Sequence, residues 1–280
     1  RTITPMGSRT MKRWLSLPLR QISSIRERHA IVDFMVNHQE FVSLLSENLR
    51  LIGDLERLVS KVSAMRVSPR ELLQLKTALK AVHPIKEACR ETGLEPLVNL
   101  GENLQPCHAV IRKIEQHIAD DAPALVTKGG VIAKGVSAEL DELRNILHSG
   151  RDFLLQIQQR EAARTGIPSL KVSYNNVFGY FIEVRNTHKD KVPSDWIRKQ
   201  TLVSAERYIT EELKEYESKI LGAEEKILEL EAKLYNDLVE SLHEFIPVIQ
   251  LDAQLLARLD CLLSFAVVAL ENRYTCPEMD

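Results

Sequence analysis

This sequence is poor in cysteine, in aromatic residues and in net charge, and each shortage excludes something. The four cysteines among 280 residues, Cys89, Cys107, Cys261 and Cys276, lie far apart. None forms a CxxC pair and no histidine stands at ligand spacing from one, so a disulfide framework and a zinc site both give way to free thiols. A formal net charge of -2 argues against global attraction to nucleic acid or to an anionic membrane, though it is silent on local patches. No apolar run approaches the roughly 20 residues that span a bilayer, so no membrane partner is expected. The opening RTITPMGSRT lacks the apolar centre of a signal peptide. It also lacks an initiator methionine, and the chain is expected to come from something longer. An apolar fraction of 44% and a charged fraction of 27% fit a folded chain with one large or two ordinary domains.

Catalytic signals are missing too. There is no GxxxxGK[ST] phosphate loop. The string GGVIAKG before Val136 has glycines and a lysine at the wrong spacing and no Ser or Thr, so it reads as a turn. His83, His108, His117 and His148 fall in helical stretches without a Ser or Cys nucleophile and a carboxylate beside them. No general acid–base pair stands out, and the chain by itself is not expected to be an enzyme.

What is present is helix, with marked starts. Thr4-Pro5 is an N-cap before a proline at the first helical position. Ser24–Glu27 reads as a capping box opening a helix to about His38, and Ser68–Glu71 as another, opening a helix that ends near Thr92-Gly93. Leu44 to Val62 and Leu97 to Ala119 are further helical stretches, and Val126 to Gly135 is a turn-rich break, read as a small hairpin. Two long helices follow. The first runs from Ser137 to about Arg164 and is stopped by Thr165-Gly166-Ile167-Pro168. The second runs from the Thr210 cap to about Phe245, with Glu215–Lys219 and Glu229–Lys233 as i,i+4 pairs. A last helix covers Leu251 to Glu271. At 1.5 Å per residue the two long helices span roughly 40 and 50 Å. Their apolar stripes suggest antiparallel packing.

Between them SLKVSYNNVFGYFIEVRN breaks the pattern. Leu170, Val172 and Tyr174 alternate with polar residues, then Tyr180, Ile182 and Val184 do so after an Asn/Gly turn. This is hairpin periodicity, so a small antiparallel sheet should ride at the tip of a two-helix arm. From 165 to 210 there are seven basic residues against four acidic ones, a surplus of three that leaves the rest of the chain at -5. A basic tip on an acidic body can present a phosphate-binding patch despite a small net charge. Candidate contacts are Lys171, Arg185, Lys189, Lys191, Arg198, Lys199 and Arg207, helped by Asn175, Asn176, His188 and Gln200; Thr201 is a further possible donor. An ordinary solvated face is the competing reading of the same charges. Six of the fifteen aromatic residues are also here, and most must form the core of so small a sheet, with base stacking a lesser use.

Particular strings carry a resemblance. ITPMGSRTMKRWLSLPL, GDLERLVSKV, SPRELLQLK, SLKVSYNNVFGYFIEV, IRKQTLVSAERYITEELKEYESKIL and ARLDCLLSFA occur in the order found in the MutS family of bacterial DNA mismatch-recognition ATPases, which the whole chain resembles. The resemblance implies a mainly α fold: a helical core bundle with two long antiparallel lever helices and a small antiparallel β clamp at their tip. It divides the chain into core and lever over 1–165, clamp over 166–209, and lever and core again over 210–280. It implies that the clamp presses on the backbone of double-stranded DNA without sequence specificity. It also implies that the levers couple this to an ATPase domain, that a second MutS subunit closes around the duplex, that repair proteins such as MutL join, and that the protein is cytoplasmic and associated with the nucleoid when on DNA.

The family's mismatch-reading domain with its Phe-x-Glu wedge, its connector and its ATPase domain have no counterpart here. ATP and Mg therefore belong to the missing part, and no cofactor or metal is expected in this chain. A helical protein-interaction scaffold without DNA binding is the alternative.

Overall fold

The computed structural model describes residues 1–175, 177 and 179–278. In chain order its helices are α1 Pro5–Ser16, α2 Ile22–Asn37, α3 Gln39–Ile52, α4 Leu55–Ser63, α5 Pro69–Glu91, α6 Glu95–Asn103, α7 His108–His117, α8 Ala138–Thr165, α9 Glu211–Glu240 and α10 Ile246–Asn272. Four strands, β1 Lys171–Asn175, β2 Gly179–Arg185, β3 Ile197–Thr201 and β4 Ala205–Ile209, lie between α8 and α9. The chain divides into two units, residues 1–133 with 233–280, and residues 134–232.

The first unit is built of helices, with one isolated β-bridge among its described residues. Thr4 caps α1 by accepting the Gly7 N–H, and Ser68 and Glu71 form a complete capping box on α5. The box expected at Ser24 does not form. Ile25 N–H already bonds the Gln21 carbonyl, so α2 starts a turn earlier and Ser24 lies inside it. The stretch from Leu44 to Val62 is two helices rather than one: Gly53 turns the chain at φ +61, and Asp54 caps α4 through the Arg57 N–H. The stretch from Leu97 to Ala119 also breaks, where Pro106 has no N–H to offer and Cys107 takes φ +49. The expected small hairpin reduces to a 3-10 turn at Val126–Lys128 and an isolated bridge between Ile118 and Ile132.

Helix α10 is the spine of this unit. Ile249, Ala253, Leu256, Leu259, Leu262 and Ala266 are buried along it, and so are Asp252 and Asp260. It begins five residues before the expected Leu251, with Pro247 in its first turn. Contrary to the sequence expectation, one helical stretch within Glu211–Asn272 is long and apolar enough to cross a membrane by length and composition. More than half of that window is buried inside the protein, as in a core helix.

The second unit has a helix pair and a sheet. Helices α8 and α9 run antiparallel: Arg144 meets Glu231 at 2.6 Å, Phe153 stacks on Tyr216 at 3.9 Å, and Arg160 meets Glu212. Gly150 lets them come close, because a Cβ there would stand 3.1 Å from Ile220. Within α9, Glu211–Lys214 at 3.6 Å is the intrahelical ion pair found among the described residues, not Glu215–Lys219 or Glu229–Lys233. Exposed pairs of long side chains gain little over water.

The sheet order is β1-β2-β4-β3, all antiparallel. Val172, Ile182, Val184 and Tyr208 share one face, by register, and pack on Leu154, Ile157, Leu213 and Ile220 of the helix pair, with Trp196 and Leu170 closing the cluster. Gly179 is obligatory on two counts. Its φ is +72, and a Cβ would overlap the Glu217 carboxylate, which accepts the Tyr180 N–H at 3.4 Å.

Candidate nucleic-acid interface

Register decides which candidate residues sit together. Lys171 pairs with Glu183 and Arg185 with Ala205, while Asn186 donates to the carbonyls of Val203 and Ser204. The start of β1, the end of β2 and the β3–β4 turn therefore share one end of the sheet. A 3-10 turn, Asn186–Lys191, leaves from that end carrying His188, Lys189 and Lys191. Asn175 lies at the other end, six residues along β2, or about 20 Å away. Its side-chain oxygen is taken up by the Val177 N–H at 2.7 Å, so it shapes the turn instead of joining the basic end. Asn176 lies outside the described residues.

Pairing then separates the cations into two sets. Arg207 is largely enclosed: it donates to Glu183 at 3.1 Å and to the Gln200 side chain at 2.9 Å, and its guanidinium covers the Phe181 ring at 4.3 Å. Arg198 reaches Glu206 at 3.4 Å. Glu206 also accepts from Tyr208, whose hydroxyl is pushed up to about 12 by burial and this bond. Arg207, Gln200 and Arg198 thus have partners within the sheet. Lys171, Arg185, Lys189, Lys191 and Lys199 are exposed and have no carboxylate partner among the described residues; Lys191 has only a 3.5 Å contact to the Gly166 carbonyl. Lys199 sits where the β3–β4 register slips between Arg198 and Gln200. The slip takes it out of the ladder's regular alternation.

The acids of the module are mostly spent. Glu183 holds Arg207, Glu206 holds Arg198, and Asp195 holds Arg164, which keeps the Asp195 carboxyl below the usual range. Asp190 is left against five unpaired cations. The sheet's aromatic residues mostly serve its core: Phe181, Trp196 and Tyr208 are buried, while Tyr174 is half exposed with its ring 4.9 Å from Tyr180.

In the glycine-rich segment, the Gly135 N–H donates to Asp141 at 2.8 Å, so a carboxylate occupies the place a phosphate would need. Among the described residues no three His, Cys, Asp or Glu side chains gather as metal ligands. Burial pushes the thiols of Cys89, Cys107 and Cys261 up to about 12, well away from thiolate reactivity.

Comparison with known proteins agrees with the strings that carry the resemblance. The profile of MutS domain III matches residues 1–266. The DNA mismatch repair protein MutS of Parabacteroides distasonis is 60% identical over 277 residues, 99% of this chain and 32% of that protein. The MutS proteins of Phocaeicola vulgatus and Bacteroides thetaiotaomicron are 60% identical over all 280 residues. The chain spans about a third of the length of these curated relatives. By the profile match and by identity along its whole length, the chain belongs to the MutS family and comprises that family's domain III.

Proposed function

We propose that the β module, over residues 166–209, is a clamp that grips the phosphate backbone of duplex DNA without reading its sequence. The observation that carries this is the set of five cations without carboxylate partners at a module whose acids, Asp190 excepted, are neutralised by other residues. Lys171, Arg185, Lys189, Lys191 and Lys199 are its phosphate contacts, with His188 beside them. Helices α8 and α9 are levers whose antiparallel packing carries the clamp. In a longer protein of the family they would link DNA binding to an ATPase domain that holds ATP and Mg, with a second subunit closing the grip and MutL as a repair partner. Such work on chromosomal DNA belongs in the cytoplasm.

The test is fluorescence anisotropy of a labelled homoduplex titrated with the 280-residue chain at about 50 and 200 mM salt. Three to five phosphate contacts give a slope of log K against log salt of roughly -3 to -4.5. Affinity should be unchanged by a mismatch. Lys189→Glu with Lys199→Glu should abolish binding. Absence of binding at the lower salt would sink the clamp reading and favour a protein-docking scaffold.

A further inference from the structure

We infer that Asp195 is a positioning residue: through its ion pair with Arg164 it holds the basic segment between β2 and β3 in the orientation in which Lys189 and Lys191 meet a polyanion. The inference rests on the DNA-backbone reading above and names part of the machinery that reading needs.

The segment from Asn186 to Asp195 leaves the sheet and returns. The 3-10 turn at Asn186–Lys191 has no buried residue, so packing does little to hold the turn itself. The front is fastened by Asn186, whose backbone and side-chain N–H groups bond the Ser204 and Val203 carbonyls. The back is fastened by Val192, which packs against the core cluster, and by Trp196, buried in it. The lysines project between these two points. Asp195, one residue before Trp196, is the one carboxylate of the segment tied to a helix among the described residues.

The tie is forked. Arg164 Nη2 donates to Oδ1 at 3.1 Å and Nη1 to Oδ2 at 3.3 Å. Arg164 lies in the last turn of α8 and is held from behind, because its Nη1 also donates to Glu161 at 3.2 Å. Glu161 is only 4% exposed and accepts in turn from Arg160 Nε at 3.1 Å, while Arg160 forks onto Glu212 in the first turn of α9. Asp195, Arg164, Glu161, Arg160 and Glu212 thus alternate in sign from the basic segment across both helices. A guanidinium fixed by a buried carboxylate has already lost much of its rotamer freedom, so it orients Asp195 better than a free surface arginine would. The Arg164–Asp195 contact itself is about half exposed on both sides. It therefore adds little to global stability, and it can be removed without unfolding the chain.

Two explanations of Asp195 predict opposite signs. If it is merely a negative charge near the DNA, removing it tightens binding. If it positions the lysines, removing it weakens binding although the net charge has become more favourable. The experiment is the anisotropy titration of the 280-residue chain at about 50 mM salt with three variants. Asp195→Asn should bind about threefold more weakly than wild type, the size of effect a half-exposed pair can exert. Asp195→Asn with Arg164→Gln leaves the net charge as it was and should be weakened to the same degree. Asp195→Glu should bind as wild type does. Amide hydrogen exchange without DNA should be faster over residues 186–195 in Asp195→Asn, with the melting temperature unchanged. Tighter binding by Asp195→Asn, a double variant equal to wild type, or unchanged exchange would overturn the inference while leaving the clamp reading intact. A wild-type chain that fails to bind would overturn the clamp reading and this inference together.

Discussion

Both units bury carboxylates, and they satisfy them differently. In the helical unit the buried acids of α10 take backbone N–H groups: Asp260 accepts from Ile3 and Thr4, and Asp252 from Gln105. In the unit with the sheet the buried acids take arginine: Glu231 holds Arg144 at 2.6 Å, and Glu161 holds Arg160 and Arg164. A carboxylate bonded to backbone fixes the path of the main chain at one place. A carboxylate bonded to guanidinium joins side chain to side chain and leaves the main chain at that place to its helix. The helical unit is thus pinned at its backbone, and the helix pair beneath the sheet is tied through side chains.

The largest effect should come from a pin. Asp260→Ala would strip partners from the Ile3 N–H, the Thr4 N–H and the Thr4 hydroxyl, all close to Gly7, where even a methyl group would stand 2.1 Å from the carboxylate. Each abandoned group costs about 1–3 kcal/mol, so a loss on the order of 4 kcal/mol is expected in urea unfolding. Glu161→Gln should cost less, roughly 1–2 kcal/mol, because the amide oxygen can still accept from an arginine. Equal losses at the two positions would dissolve the contrast between acids that bind backbone and acids that bind side chains.

Asp252 sharpens the contrast, since it is a pin only half made. Its Oδ1 accepts the Gln105 N–H at 2.8 Å, but Oδ2 is buried without a hydrogen-bond partner among the described residues, and the nearby Lys86 ammonium is directed to the Leu104 carbonyl. Burial pushes the carboxyl up to about 7 from an ordinary 3.8. The folded state therefore keeps a proton that the unfolded chain releases between about pH 4 and 7. The stability tied to that proton is full below pH 4 and is lost as pH rises through 7. Asp252→Asn removes this dependence. It should be nearly neutral at pH 4 and stabilising by up to an order of 4 kcal/mol at pH 8. Thermal melting of both chains across that range checks the sign; a difference independent of pH would refute it.

Much of the fold was legible because its signals are local. Thr4-Pro5, Ser68 with Glu71 and Thr210 cap the helices they were expected to cap, α8 starts next to the expected Ser137, and Gly166 ends α8 in the left-handed region. Alternation exposed the hairpin. The errors were local signals overruled by their surroundings: Ser24 has the capping pattern inside a helix, and Gly53 and Pro106 break stretches whose apolar periodicity carries on past them. The candidate interface was legible as a charge surplus but not as a pairing pattern. Glu183 and Arg207 are 24 residues apart and Arg164 and Asp195 are 31 apart, so no spacing rule joins them. Asp195 was counted as an acid, and nothing in its neighbourhood marked it as a tie to α8.

The smallest effect should separate the paired arginines from the free lysines. Arg207 was a candidate phosphate contact, yet its guanidinium already serves Glu183, Gln200 and the Phe181 face. Arg207→Lys keeps the charge and loses the fork and the stacking, so it should destabilise the chain by about 1 kcal/mol. It should leave the salt slope of DNA binding unchanged, because no phosphate contact is lost. Lys189→Ala should do the reverse: stability stays within about 0.5 kcal/mol, as for most exposed positions, and the slope becomes shallower by about one, the mark of one contact fewer. A shallower slope for Arg207→Lys would return Arg207 to the interface. It would also mean that the Glu183 pair opens when DNA arrives, making that carboxylate a competitor the phosphate displaces.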